Sequence, residues 1–158
     1  MGQLPVLEVD GEKIGQSAAL GRFLAKELGL TGKDNLQAAR ADMLVDDIND
    51  MWNALSPVYM SIIEDKPETK AVEWAKFQNQ KLKLFLDQYT LFIQNNDWIT
   101  GNELTWADLA LAEFLSCMEE KFDPDCLRDY PDLAKLKTTV FNLPELKQYL
   151  ASRPDVAF

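Results

Sequence analysis

The chain has 158 residues, with 16 Lys and Arg against 26 Asp and Glu, no His, and a formal net charge of −10. That length suits one compact domain, or two small ones, with a sizeable core, and the surplus of carboxylates argues against nucleic acid or an anionic membrane as partner, since both reward clustered Lys and Arg. Without histidine there is no Ser-His or Cys-His nucleophile pair, no imidazole base and no imidazole metal ligand, so catalysis must draw on carboxylates, Tyr, Lys, Cys or a thiol carried in by a substrate. The two cysteines, Cys117 and Cys126, form no zinc-type spacing and read as reduced thiols of a cytoplasmic protein. The first ten residues have neither the basic start nor the apolar run of a signal peptide, and no window approaches the ~18 to 20 apolar residues of a membrane span.

The chain opens with β structure. Val6-Leu7-Glu8-Val9 and Glu12-Lys13-Ile14 flank Asp10-Gly11, and Asp-Gly between two β-prone runs signals a two-residue hairpin. A helix is predicted from about Ser17 to Leu28, with Leu20, Phe23, Leu24 and Leu28 on one stripe and Gly29 placed for its C-terminus. A linker through Thr31-Gly32-Lys33-Asp34-Asn35 follows. Beyond it the pattern is helical throughout: about Leu36 to Ile63 with a kink at Pro57, Pro67 to Gln94, Leu104 to Phe122, Pro131 to Phe141 and Pro144 to Ser152. The first 41 residues are neutral, so the negative charge belongs to the helical part. A lone hairpin is marginal in water, so this one must lie on the helices or belong to a larger sheet.

Four constellations stand out. Gln16-Ser17 opens the first helix, where outward-pointing N–H groups and the dipole make an anion seat; a plain N-cap is the structural alternative. Gln3-Leu4-Pro5-Val6 precedes the first strand, where a cis bond before Pro5 would turn the Leu4 backbone outward to pair with an extended peptide; an edge-strand proline is the alternative. Thr105 and Asp108 have capping-box spacing, with Leu104 and Leu109 at the staple positions, so Asp108 reads as a cap rather than a catalytic carboxylate. Asp42, Asp46 and Asp50 recur every four residues with Asp47 beside them, which reads as a solvated acidic face, a cation site or a seat for a ligand ammonium.

Together these stretches resemble the cytosolic glutathione transferases, particularly the sigma-like group common in invertebrates. The resemblance rests on Gly2 through Gly11, Gln16-Ser17 with Arg22-Phe23-Leu24, Asn96-Asp97-Trp98, Gly101, Leu104 through Asp108, and Leu143-Pro144-Glu145-Leu146-Lys147 to Arg153-Pro154. It implies a mainly α fold with a small α/β part. Residues 1–30 would be the closing β-β-α half of a thioredoxin-like domain, and residues 35–158 an all-helical bundle.

The resemblance also implies a function: conjugation of glutathione, as co-substrate, to hydrophobic electrophiles by a cytoplasmic homodimer with no metal or other cofactor. Leu4, before a cis Pro5, would pair with the cysteinyl part of glutathione, and Gln3 would touch it peripherally. Gln16 and Ser17 would hold the γ-glutamyl carboxylate, and Asp50, reaching across the dimer, its ammonium. The acceptor pocket would be lined from Trp52, Leu55 and Tyr59. Relatives carry a β-α-β unit ahead of the Gly-Gln-Leu-Pro stretch, with a Tyr that stabilises the glutathione thiolate. Tyr59, Tyr89, Tyr130 and Tyr149 do not match that position, so the expectation is an N-terminally truncated member with weak or absent turnover and a reduced tendency to dimerise normally. Two other outcomes share the fold: a non-catalytic structural protein like the lens crystallins of this type, and a glutathione-dependent prostaglandin-type isomerase.

Overall fold

The computed structural model describes residues 2–154. Strands β1 (Val6–Val9) and β2 (Glu12–Gly15) pair antiparallel. Asp10 and Gly11 both take positive φ, 51° and 84°, which matches the twist of a two-residue hairpin turn to that of its strands. The register is Val6 against Gly15 and Leu7 against Ile14.

Helix α1 (Ser17–Glu27) follows directly. It closes as the sequence predicts, with Gly29 at φ 71°, and the Gly29 and Leu30 N–H groups bond back to Lys26 and Ala25 in the double closure that a left-handed C′ residue permits. The Trp106 N–H then donates to the Leu30 carbonyl at 2.9 Å, which joins the end of α1 to the helical part.

The long helices differ from expectation in three places. The run from 36 to 63 is two helices, α2 (Asn35–Ala54) and α3 (Ser56–Ile63). Pro57 has no N–H to give and its ring would strike the carbonyl four residues back, so α2 stops short of it and α3 restarts with the proline in its first turn. The run from 67 to 94 is α4 (Pro67–Phe77) and α5 (Lys83–Ile93), joined by a π-helical turn at Gln78–Leu82. The third begins at Trp106 rather than Leu104: α6 (Trp106–Cys117) continues into a second π-helical turn at Met118–Phe122. The two wide turns are tied together, as Gln78 donates to Asp123 at 2.8 Å and Trp74 stacks on Phe122 at 4.9 Å. α7 (Pro131–Phe141) and α8 (Pro144–Ser152) match their predicted ranges.

Helix α6 is the axis of the core. Ala107, Leu111, Ala112, Phe114 and Leu115 are fully buried, and α6 packs against α1, α2 and α7. Its start is the predicted capping box. Oδ2 of Asp108 accepts the Thr105 N–H at 2.8 Å and the Thr105 hydroxyl at 2.9 Å. Oδ1 accepts the Ile99 N–H at 2.7 Å. The described residues are thus mainly α with one two-stranded sheet. Among the described residues no helix is long and apolar enough to cross a membrane.

Candidate functional site

The hairpin register builds a cleft. The ladder ends where Val6 faces Gly15, at the point where β2 gives way to α1. Gly2, Gln3, Leu4, Pro5, Gly15, Gln16 and Ser17 line a cavity of about 340 Å³ there. Five of the residues singled out in the sequence therefore meet at one place. The Leu4–Pro5 peptide is cis.

Ser17 is the first residue of α1 rather than its cap. Gln16 holds the cap position, and no side chain caps the helix. The first-turn N–H groups thus lack internal partners and carry the positive end of the helix dipole into the cleft. Gln16 sits at φ 72°. A non-glycine residue held there costs of order 1–3 kcal/mol, and such strain clusters at ligand sites. The cleft also uses Gly2 and Gly15, neither of which was among the predicted contacts. The two-residue Asp10-Gly11 turn was the available signal, because it fixes which residues face each other beyond the strand ends.

The other candidates lie elsewhere. Asp50 is exposed and lines a separate groove of about 290 Å³ with Asp47, Met51, Lys81, Leu84 and Gln88. Its neighbours in the acidic row are engaged: the Arg22 guanidinium meets Asp42 at 2.8 Å and Asp46 at 3.7 Å. Among the described residues no three His, Cys, Asp or Glu converge as metal ligands.

Trp52 and Tyr59 belong to an aromatic cluster. Trp52 meets Phe114 edge-on at 5.1 Å, and Tyr59 meets Phe122 edge-on at 5.7 Å. The Tyr59 hydroxyl lies 3.7 Å from Sγ of Cys117, and burial, then this contact, pushes the phenol well above its ordinary value. Both rings are half-buried. Leu55 is different: it is 0 % exposed, so in this chain it fills the core and offers a ligand no surface. In the sequence it falls in line with Trp52 and Tyr59, and helical spacing cannot tell a core stripe from a pocket wall. The thiols are not poised nucleophiles. Burial raises Cys117, and it pushes Cys126 up to about 11.

Comparisons with known proteins find relatives of this chain and of its fold. Residues 52–153 match the family model described as the glutathione S-transferase C-terminal domain. Glutathione S-transferase 1 of Ascaris suum is 32% identical over 159 residues, which span 99% of this chain and 77% of that protein. The solved glutathione S-transferase of Ascaris lumbricoides superposes with a TM-score of 0.90 at 31% identity, over 99% of this chain and 77% of that one. Prostaglandin synthase D of Nilaparvata lugens superposes with a TM-score of 0.86 at 29% identity, over 98% and 76%.

Proposed function

The chain belongs to the glutathione S-transferase family, and from that premise we propose that it is a sigma-like member that seats glutathione in the cleft between the hairpin and α1 and delivers it to hydrophobic electrophiles. The observation that carries this is the meeting of Leu4, Pro5, Gln16 and Ser17 in one cavity, with Gln16 at φ 72°.

The γ-glutamyl carboxylate lies against the Ser17 hydroxyl and the first N–H groups of α1, where an anion is favoured. The Leu4 backbone pairs with the cysteinyl unit as an added strand would, and Gln3 borders it. Residues 1–30 and 35–158 act as two domains. In a homodimer Asp50 of one copy reaches the ammonium of glutathione held by the other. Exposed apolar pairs seven residues apart, Leu36 and Met43 on α2 and Leu84 and Leu91 on α5, support such a contact. Trp52 and Tyr59 border the acceptor. The free thiols suit a reducing cytoplasm.

The chemistry is attack by the glutathione thiolate on an electrophilic carbon, forming a C–S bond while a leaving group departs or an adjacent carbanion takes a proton. No tyrosine among the residues lining the cleft is available to hold the sulfur as thiolate.

Titration calorimetry with glutathione tests the seat. Ser17→Ala and Gln16→Ala should each weaken binding about tenfold or more, the worth of a hydrogen bond to a charged group. Equal affinity in both variants would refute the assignment. The likeness to an insect prostaglandin synthase favours a second reading, glutathione-dependent isomerisation of a lipid peroxide; product analysis with each substrate class separates it from conjugation.

A further inference from the structure

The N-terminus of α1 carries the proposed glutathione seat, and one side chain fixes where that helix lies. Trp106 is 8 % exposed and is the first residue of α6, immediately after the Thr105 cap. Its ring lies on the backbone of Gly21: a Cβ added there would stand 2.7 Å from Cζ3 and 3.0 Å from Cε3. Gly21 is one helical turn beyond Ser17. The Arg22 guanidinium carbon lies 5.6 Å from the centre of the Trp106 ring, and the same guanidinium is pinned to Asp42 on α2 at 2.8 Å. The Trp106 main chain holds the far end of α1 through the Leu30 carbonyl. Trp106 therefore holds α1 at Gly21 and Arg22 and the turn beyond it at Leu30. Its indole Nε1 is buried without a hydrogen-bond partner, so packing and the cation, not a bond of its own, set the ring's place.

We propose that Trp106 is a positioning residue for the glutathione seat: its ring, anchored by the α6 cap and bedded on Gly21, fixes the N-terminal half of α1, which carries Gln16 and Ser17 into the cleft. The inference rests on the reading of the cleft given above. A hydrogen bond to a charged ligand group is worth about tenfold or more in affinity, so a lift of α1 that breaks one is enough to matter.

The test is a double-mutant cycle read by glutathione titration on the full chain, with thermal melting in parallel. Gly21→Ala pushes the ring away from α1 and should raise the glutathione Kd about tenfold at a temperature where the variant is fully folded. Trp106→Phe keeps an aromatic ring at the start of α6 and loses no hydrogen bond but withdraws the outer indole ring from Gly21, so it should bind between wild type and Trp106→Leu. Trp106→Leu should weaken binding as Gly21→Ala does, and Gly21→Ala should add almost nothing in the Trp106→Leu background. A purely structural role predicts lower melting temperatures with unchanged Kd, or additive effects, and either result overturns the proposal. If Gly21→Ala does not fold, the comparison of Trp106→Leu with Trp106→Phe decides: equal affinities overturn it. A wild type that ignores glutathione overturns the functional reading and this inference with it, whereas a binding wild type matched by Gly21→Ala overturns the inference alone.

Discussion

Ile99 gives its backbone N–H to Oδ1 of Asp108 at 2.7 Å. One carboxylate thereby serves two masters: Oδ2 closes the start of α6 on Thr105, and Oδ1 fastens the preceding turn to it. The turn is itself a small closed unit, since Trp98 and Gly101 exchange backbone hydrogen bonds at 2.9 and 3.0 Å.

Asp108→Ala would leave these donors buried and unpaired. Each such group costs about 1–3 kcal/mol, so a loss of about 3 kcal/mol or more is expected in denaturant unfolding, with refolding slowed. Full stability with lost activity would make Asp108 catalytic instead.

Asp108 also gives a pH signature. Burial, its largest influence, raises the carboxyl above the ordinary range, against the pull of its backbone and hydroxyl donors. The folded state then holds the proton more tightly than the unfolded chain. The resulting stability is fully present below about pH 4 and is lost as pH rises through the folded value. Asp108→Asn cannot ionise. Wild-type stability minus that of Asp108→Asn should therefore fall from pH about 4 toward neutrality, and a difference that rises would reverse the assignment.

At the alkaline end Tyr89 should dominate. Burial foremost, and the nearby Asp47 charge, push its phenol far above the ordinary value, while its hydroxyl donates to the Leu44 carbonyl at 2.9 Å. Stability from this group is complete below the unfolded phenol value of about 10 and declines above it. Tyr89→Phe should cost about 1 kcal/mol at neutral pH and flatten the melting-temperature decline above about pH 10.

The raised thiols predict slow chemistry. Reaction of Cys117 and Cys126 with a disulfide reagent at about pH 7.5 should lag well behind that of free glutathione, because the thiolate is the nucleophile. The rate should climb as pH approaches the Cys126 value of about 11. Prompt labelling of both at neutral pH would show that the burial around them opens readily.

The linker between α1 and α2 is held by Gln37. Its Oε1 accepts the Lys33 N–H at 2.8 Å and its Nε2 donates to the Thr100 hydroxyl at 3.3 Å. Gly32 sits at φ 91°, where an added Cβ would meet Gln37 at 2.7 Å. Gly32→Ala should destabilise by about 1–3 kcal/mol through backbone strain. The clash adds to this, so Gly32→Ala with Gln37→Ala should recover part of the loss.

Much of the site was legible because it follows from local turn chemistry. Asp10-Gly11 dictates a two-residue turn, the turn dictates the register that ends with Val6 facing Gly15, and Pro5 and Gln16 flank that last pair in one cavity. The Thr105–Asp108 cap was legible for the same reason. The break near Leu55 was legible as a kink at Pro57, but the burial of Leu55 was not. It depends on what lies across from the helix, and periodicity reports only that a stripe is apolar. The second bond of Asp108, to Ile99, was equally hidden, since nothing in the spacing of nine residues marks a turn folding back onto a cap.

The wide turn at Gln78–Leu82 changes what α4 and α5 are to each other. A π turn holds one residue more than an α turn, so α5 enters about 100° out of phase with α4. The same rod therefore presents Phe77 inward before the turn and Phe85, Leu86, Tyr89 and Ile93 after it, on a face that an uninterrupted helix would have pointed elsewhere. Residue count in this segment is thus a rotational setting. Removing one residue would leave a straighter helix and swing Tyr89 off the Leu44 carbonyl, with every side chain in α5 unchanged.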